Sequence, residues 1–308
     1  MNKTQYTKPD GKTPILCIAG PTASGKSARA VAEALRRNGE IISVDSRQVY
    51  RSLDIGTEKI SPMEQKGVPH HLIDILDPRE PYSAGTFVQD ATALIAEITA
   101  RGKTPILAGG THFYFDALLS GLPDEVPIHT ELRLLLEKKT NEELYEDVLK
   151  QDARRAAALD PHNRRRLIRA LEIISAKGTV TPRPTKMTDL RNPSNPSVSS
   201  TDLQSPYKVE WIVIDPSMEK LRDRIENRLK NALARGLVEE VWRVREAVGD
   251  ARLHELGLEY RIVGEFLAGK RTEETLLPTL ASALCKYARR QKAWLRKLRI
   301  EHCIDFTE

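Results

Sequence analysis

The sequence predicts an α/β fold in which a parallel sheet is flanked by helices, with an inserted all-helical domain and a helical C-terminal region. Three observations predict this fold. Apolar, β-prone runs at 13–20, 40–46 and 103–110 alternate with amphipathic helical patterns, an order typical of parallel sheets. The stretch 127–177 has a helical pattern and no strand candidate. A further apolar run at 208–216 then returns the chain to the sheet.

Two helices of the first part can be predicted with their caps and their buried faces. The first follows the glycine-rich segment 20–27 and ends at Asn38-Gly39, a pair suited to a left-handed stop. The second begins after Ser83, which can cap its N-terminus, and ends at Gly102. Helical spacing predicts that the inward-facing residues of these helices are Ala30, Val31, Ala34 and Leu35, then Phe87, Ala91, Leu94, Ile95 and Ile98.

The chain divides into three predicted segments. Residues 13–125 form the first part of the core, and residues 126–207 form a helical insertion domain. Within the insertion, the segment 179–206 is rich in proline and serine, a composition that predicts a mobile loop. Residues 208–308 complete the core with the return strand and the C-terminal helices.

Composition favours a globular protein and argues against several classes. The 308 residues are 40% hydrophobic and 30% charged, and no apolar run approaches the length of a membrane span. The polar N-terminus lacks the apolar middle of a secretory signal, so we expect a cytoplasmic protein that does not bind membranes. Cys17, Cys285 and Cys303 are too far apart to predict a zinc site or a disulfide framework. The histidines at 70–71 favour a loop over a metal site, because no carboxylate or cysteine completes a ligand set.

A glycine-rich segment, GPTASGKS, predicts a P-loop-type core. It has the spacing G-x-x-x-x-G-K-[ST], and it lies between a predicted strand and a predicted helix. The glycines let the backbone fold tightly, so that amides at the positive end of the helix point at phosphate oxygens. The lysine supplies a point charge, and the hydroxyl after it is a ligand for Mg²⁺. The predicted phosphate-binding residues are Gly20, Pro21, Thr22, Ala23, Ser24, Gly25, Lys26 and Ser27, with Ser27 also the magnesium ligand.

Two other strand ends carry polar residues to the same edge of the predicted sheet. Asp45 ends the second strand, beside the predicted phosphate site. It can act as an indirect magnesium ligand, as a base for an acceptor group, or only as the cap of a turn. After the third strand, Gly109-Gly110-Thr111 lets the backbone and a hydroxyl approach a ligand closely, although a structural turn explains the glycines equally well.

Basic residues cluster in two predicted helices. The stretch 286–299 has seven lysines or arginines and no acid, and 162–173 holds a second cluster, in which the leucine at 167 falls on the core-facing side. The net charge of +5 is too small to indicate a partner by itself. Charges on a helix usually form a solvated face, but cations near Tyr287 and Trp294 also suit the phosphate backbone of an RNA.

Six segments of this chain, in order, closely resemble the bacterial tRNA dimethylallyltransferases. They are GPTASGKS, EIISVDSRQVYRSLDIGTEK, VPHHLIDILDPREPYSAGTFVQDA, RGKTPILAGGTHFYFDALLSGLP, RRRLIRALEI and KYARRQKAWLR. The resemblance covers about 13–296. It implies transfer of a dimethylallyl group from dimethylallyl diphosphate to N6 of adenosine 37, in an A36-A37 context, with release of pyrophosphate. It also implies Mg²⁺ as the cofactor and the anticodon stem-loop of tRNA as the partner of an expected monomer.

The same resemblance implies roles for individual residues. The glycine-rich loop would hold the diphosphate, Asp45 would take the proton of the adenine amine, and Thr111 and Arg228 would steady the leaving pyrophosphate. An allylic diphosphate leaves well only when its growing charge meets preorganised donors, and the adenine must first be flipped out of its stack. The implied tRNA contacts are Asp45, Ser46, Arg47, Gln48, Arg133, Arg165, Arg166, Leu167, Ile168 and Arg169.

Two segments depart from the family pattern. The family's Gly-Tyr-Lys-Glu is replaced here by GLEYR at 257–261, and Ala293 stands where a threonine often precedes the tryptophan. Neither change is expected to touch the phosphate or acceptor sites.

Two other enzymes remain as alternatives on the residues alone. One is a P-loop kinase of a small molecule or nucleoside, with Asp45 as its base, and the other prenylates free adenylate. The inserted helices and the basic C-terminal stretch favour tRNA over either small acceptor. A non-enzymatic RNA-binding protein would not explain the glycine-rich loop and Asp45 together.

Overall fold

The computed structural model describes residues 11–122, 126, 129–179, 205–302 and 306–307. Its backbone forms two compact units: the sheet unit, Met1–Ser120 with Ser199–Glu308, and the helical unit, Gly121–Val198. The first and last residues of the helical unit each lie several residues before the corresponding boundary of the predicted insertion, 126–207. Most of the predicted mobile loop, residues 180–204, lies outside the described residues.

A parallel sheet forms the centre of the sheet unit. Its strands are β1 (Thr13–Ala19), β2 (Gly39–Val44), β3 (His70–His71), β4 (Thr104–Gly109), β5 (Tyr207–Ile214) and β6 (Phe306–Thr307). They are hydrogen-bonded in the order β3-β2-β4-β1-β5-β6, and every pair is parallel. The predicted α/β class is thereby confirmed, and β1, β2, β4 and β5 match the four apolar runs. The two-residue strands β3 and β6 were not predicted, because two residues show no periodicity.

Helices flank this sheet. In the helical unit, all the secondary structure of the described residues is helical. Those of the sheet unit are α1 (Lys26–Arg37), α2 (Pro62–Gln65), α3 (Ala84–Ala100), α4 (His112–Ser120), α9 (Met218–Ala234), α10 (Leu237–Glu255), α11 (Leu258–Leu267) and α12 (Glu273–His302). Those of the helical unit are α5 (Thr130–Leu136), α6 (Asn141–Gln151), α7 (Ala153–Ala157) and α8 (Arg164–Lys177). No helix in the described part of the chain is both long and apolar enough to cross a membrane.

The predicted caps of α1 and α3 are confirmed, but one predicted core residue is not. Asn38 ends α1 in the left-handed conformation with φ of +50°, and the hydroxyl of Ser83 accepts from the Thr86 N–H at the start of α3. Leu35 is 56% exposed. It lies about 90° around α1 from the centre of the buried face, while the neighbouring Glu33 is buried by ion pairs with arginines of the same helix.

The strand register positions the candidate site. Ala19 of β1 and Val44 of β2 both pair with Gly109 of β4, so the three strands end at the same level. Because parallel strands deliver their carboxyl ends to one edge of a sheet, the residues that follow them meet there. These residues are Gly20, Asp45 and Gly110.

Candidate active site

A cavity of about 990 Å³ opens at this edge of the sheet. Its walls come from the loops after β1, β2 and β4 and from α9, α11 and α12. Close approach of the strands requires glycine at 109, since a Cβ there would lie 2.0 Å from the carbonyl oxygen of Val44. The structure therefore brings the glycine-rich loop, Asp45 and Thr111 together around one space.

The glycine-rich loop has the backbone geometry that its spacing predicts. Gly25 has φ of +91° and is the N-cap of α1, with no side chain bonded to the first turn. The first amides of a helix lack partners within the helix, so this end is free to bind an anion. Gly20 is needed for packing, because a Cβ there would lie 2.6 Å from Oγ of Ser24 and 2.9 Å from the carbonyl of Ile214.

Lys26 lies at the start of α1, with Nζ 3.4 Å from the carbonyl oxygen of Pro21. Burial lowers the pKa of this ammonium to about 8, Asp45 opposes that shift, and Arg228 adds to it. Lys26 is thus charged at neutral pH but loses its proton more easily than an exposed lysine does. Ser27 follows it and also lines the cavity.

Gln291 of α12 joins two of the loops. Its Oε1 accepts from the Thr22 N–H at 2.8 Å, and its Nε2 donates to the carbonyl of Gly110 at 2.9 Å. The side chain is 4% exposed, so the loops after β1 and β4 are held together from inside. Sequence reasoning missed this role, although an uncharged amide between the buried Ala288 and Leu295 of a basic helix was a signal.

Arg228 of α9 contacts three oxygens from three parts of the chain. Its Nη1 donates to Oγ1 of Thr22 at 2.6 Å, and its Nη2 donates to Oε1 of Glu259 at 3.1 Å. Its Nε forms an ion pair with Oε2 of Glu58 at 2.6 Å. The arginine that the family resemblance implied therefore does border the phosphate loop, but its two carboxylate partners were not predicted.

Asp45 caps a turn and also lines the cavity. Its Oδ1 accepts from the backbone N–H groups of Arg47 at 2.8 Å and Gln48 at 3.3 Å, which is the turn-capping alternative. The cap and a role in chemistry are compatible, because a carboxylate has a second oxygen. Nearby, Oγ1 of Thr111 accepts from the Ser46 N–H at 3.1 Å, so the residues predicted at 45–48 and 111 form one connected rim.

The departure at 257–261 does touch the site, so the expectation that it would not was wrong. Gly257 is the N-cap of α11 with φ of +143°, and Glu259 in the first turn contacts Arg228. Burial raises the pKa of Glu259, while Arg228 lowers it. The hydroxyl of Tyr260 donates instead to a buried carboxylate, Glu240, at 2.7 Å.

Trp294 and Lys292 of the basic C-terminal stretch also have structural partners. The Trp294 ring stacks on His112 at 4.2 Å between centroids, and its Nε1–H points at the Asp116 carboxylate. The ammonium of Lys292 bonds to Asp215 and to the carbonyl of Pro216. The exposed cations of this stretch within the described residues are Lys286, Arg289, Arg290, Arg296 and Lys297.

In the helical unit, two predicted tRNA contacts are corrected. The side chains of Leu167 and Ile168 are 0% and 2% exposed and pack in the core of that unit. An RNA cannot reach side chains buried in this way, whereas Arg165 and Arg166 are exposed. The error follows from assigning a whole segment by resemblance, because helical spacing already placed Leu167 on the core side.

Arg133 and Arg169 converge on one buried carboxylate. Arg133 donates through Nε and Nη2 to the two oxygens of Glu172 at 3.0 and 2.7 Å. Arg169 donates to the same side chain at 3.3 Å and to the carbonyl of Val126 at 2.7 Å. Both arginines keep part of their surface exposed, at 37% and 34%.

The histidine pair, predicted to lie in a loop, instead forms the two-residue strand β3. His71 Nε2 lies 2.7 Å from Oε2 of Glu40, in an ion-pair cluster that also includes Arg101 and Lys103. Among the residues that the structure describes, no group of three or more histidine, cysteine, aspartate or glutamate side chains could hold a metal.

Comparison with known proteins identifies the family. The profile of the family described as IPP transferase matches residues 48–298. A tRNA dimethylallyltransferase of Thermomicrobium roseum is 38% identical over 96% of this chain and 88% of its own length. The crystal structure of a tRNA isopentenylpyrophosphate transferase from Bacillus halodurans superposes with a TM-score of 0.68 at 34% identity, covering 96% of this chain and 90% of that one.

A third relative is a eukaryotic dimethylallyltransferase whose structures were described as acting on tRNA. It covers 92% of this chain and 70% of that one, with a TM-score of 0.75 and 28% identity. The match runs through both the sheet unit and the helical unit, and so it is not a likeness of the glycine-rich loop alone. The chain belongs to the IPP transferase family.

Proposed function

We propose that this chain transfers a dimethylallyl group from dimethylallyl diphosphate to N6 of adenosine 37 in tRNA, with release of pyrophosphate. The observation that carries the proposal is that the glycine-rich loop, Arg228 and Asp45 line one and the same cavity. A diphosphate site and an acceptor-side carboxylate are the two components that this reaction needs. The names of the relatives support the same substrates.

The leaving group would be stabilised by groups that are already in place. In the reaction the bond from C1 of the dimethylallyl group to the diphosphate oxygen breaks, and the N6–C1 bond forms. Lys26, Arg228 and the first amides of α1 would meet the negative charge that grows on the diphosphate. Thr111 Oγ1 accepts a backbone N–H, so its own hydroxyl proton is available to the departing oxygen.

The acceptor would be oriented by Asp45. Because Oδ1 is held by two backbone N–H groups, the plane of the carboxylate is fixed. We assign Oδ2 to accept a hydrogen bond from the adenine N6 and to take its proton as the N6–C1 bond forms. The adenine must be flipped out of the anticodon stack to reach this depth, with Ser46, Arg47 and Gln48 around it.

Mg²⁺ fits the oxygen donors of the cavity. The Ser27 hydroxyl lines the cavity as the proposed protein ligand, and Mg²⁺ commonly takes one or two protein ligands, with waters and substrate phosphates completing the shell. When bound, the ion would neutralise charge on the diphosphate. The cytoplasmic location and the monomeric state remain predictions.

The proposal is tested by incubating the protein with labelled dimethylallyl diphosphate and undermodified tRNA or AMP, with and without Mg²⁺. We expect label in tRNA only, and only with the metal. Label in AMP would instead favour the adenylate prenyltransferase. Transfer of phosphate from ATP to a nucleoside, without prenylation, would favour the kinase.

Replacement of the proposed base gives a second test. In Asp45→Asn the turn cap is kept and the charge is lost, so we expect prenyl transfer to fall by about 10²–10⁴-fold, while tRNA binding in a gel-shift assay stays within about threefold. The matched control is Asp250→Asn, which removes an exposed carboxylate paired with Arg245. A variant that transfers at the wild-type rate would remove Asp45 from the role of base.

A further inference from the structure

Arg228, at the proposed diphosphate site, makes more contacts than it would need if it supplied only a positive charge. All three nitrogens of the Arg228 guanidinium contact an oxygen, from Thr22, Glu58 and Glu259. Nη1 and Nη2 each carry a second N–H that these three contacts do not use. Two hydrogen bonds and one close ion pair therefore restrain the guanidinium, and each Nη keeps an N–H for a ligand.

The two carboxylates reach Arg228 from different supports. Glu58 is the last residue of the turn 55–58, while Glu259 lies in the first turn of α11. Burial raises the pKa of Glu259, a shift that Arg228 and the helix N-terminus oppose. Its side chain is 13% exposed, against 39% for Glu58. Glu58 also forms a second ion pair with Arg235, at 3.5 Å.

A buried hydrogen-bond network joins the loop that carries Glu58 to the first turn of α11, which carries Glu259. The Glu240 carboxylate of α10, 3% exposed, accepts from the backbone N–H groups of residues 54, 55 and 56 at 2.7–3.0 Å. It also accepts from the hydroxyl of Tyr260, the residue after Glu259. Gly56 lets the Tyr260 ring pack closely, since a Cβ there would lie 2.8 Å from it. The carboxylates on both sides of Arg228 are thus fixed relative to each other.

We propose that Glu259 is a positioning residue of the diphosphate site, which holds Arg228 against Thr22 so that the two unused N–H groups meet the departing pyrophosphate. This inference rests on the proposed function for the identity of the ligand. An unrestrained arginine has much rotamer freedom to lose on binding a ligand, and preorganised donors avoid that cost in the transition state. The effect of Glu259 should then pass entirely through Arg228.

The test compares four variants: Glu259→Gln, Glu259→Asp, Glu58→Gln and Arg228→Ala, with the double variant Arg228→Ala/Glu259→Gln. Two readouts are used, steady-state prenyl transfer and calorimetric binding of inorganic pyrophosphate with Mg²⁺. We expect Glu259→Gln to lower kcat by about 10- to 100-fold, with the KM for tRNA within about twofold. Pyrophosphate binding should weaken in parallel, Glu259→Asp should recover part of both, and Glu58→Gln should have the smaller effect.

The double variant decides between positioning and a merely structural role. If Glu259 acts through Arg228, Arg228→Ala/Glu259→Gln is no worse than Arg228→Ala alone, because nothing is left to position. Multiplied losses in the double variant, or wild-type kcat and pyrophosphate binding in Glu259→Gln, would overturn the inference. Should Glu259→Gln fail to fold, as judged by thermal melting, the role is structural and the inference falls.

The two proposals fail in different ways. A wild-type protein that puts no label into tRNA contradicts the proposed function. Pyrophosphate binding by the single and double variants still decides whether Glu259 positions Arg228, because that measurement requires no prenyl transfer.

Discussion

Each unit of the molecule contains an arginine–glutamate cluster. In one cluster two arginines contact one glutamate, and in the other one arginine contacts two glutamates. In the helical unit, the carboxylate of Glu172 accepts from Arg133 and Arg169. In the sheet unit, the guanidinium of Arg228 lies between Glu58 and Glu259. The central group is an acid with 0% exposure in the first cluster and an arginine that lines the cavity in the second.

The two arginines of the helical unit stabilise a buried acid, whereas the arginine of the sheet unit is itself held in place by two acids. Arg133 of α5 and Arg169 of α8 bind one buried acid, so they join two helices and satisfy a carboxylate that would be costly alone. Arg228 instead lies between two acids, one of which also pairs with Arg235, so here it is the guanidinium that its partners hold in place. That arrangement is explained if a strongly anionic ligand binds to hydrogen-bond donors that are already held in a fixed position.

In the comparison of the two clusters, the largest expected effect comes from replacing Arg228. Arg228→Lys keeps the charge but gives a point donor that cannot contact three oxygens in a plane. We expect single-turnover prenyl transfer to fall by about 10²–10³-fold, as for loss of one oriented donor to a developing anion. The control is Arg133→Lys in the other cluster, for which the rate with saturating tRNA should be unchanged. A loss below about threefold in Arg228→Lys would remove the contrast between the clusters.

The second effect is on stability and belongs to the holding arginines. Arg133→Met with Arg169→Met leaves the buried Glu172 carboxylate without either guanidinium, at a cost of about 3 kcal/mol or more. Hydrogen exchange at the amides of α5 and α8 measures the loss locally, while pyrophosphate binding in the sheet unit should stay unchanged.

The matched control adds Glu172→Met to that double variant. An apolar side chain of similar size removes the stranded charge, so exchange protection should return. If protection is not lost in the double variant, or not recovered in the triple one, the cluster does not stabilise the helical unit.

The sequence predicted those parts of the site that depend on local spacing. The loop at 20–27 and the strand ends at Asp45 and Thr111 are contiguous motifs whose backbone requirements are visible in their glycines and in the strand pattern. Their meeting at one edge follows from the parallel order of strands alone. The caps at Asn38 and Ser83 were predictable for the same reason.

The partners that come from distant helices were not predictable. Gln291 and Glu259 reach the site only through the packing of α12 and α11, and no periodicity encodes which side chain of a helix meets a loop many residues away. Glu58 lies in the loop after β2, but its contact with Arg228 depends on how α9 packs. Glu259 belongs to a departure from the family pattern, but its contact with Arg228 depends on how α11 packs against α9. At Leu167, helical periodicity was right, and the assignment carried over from the resemblance was wrong.

The smallest expected effect tests whether the cation beside Arg228 behaves as a buried group. Because burial lowers the pKa of Lys26 to about 8, its charge is lost as the pH rises through that value. We expect kcat/KM for dimethylallyl diphosphate to fall by up to about tenfold between pH 7 and 9, as the protonated fraction falls. Lys26→Arg should show a lower but flat profile over this interval, since a guanidinium stays charged. A flat wild-type profile, or the same decline in Lys26→Arg, would show that Lys26 is not the titrating group and that Arg228 and the helix amides carry the diphosphate without it.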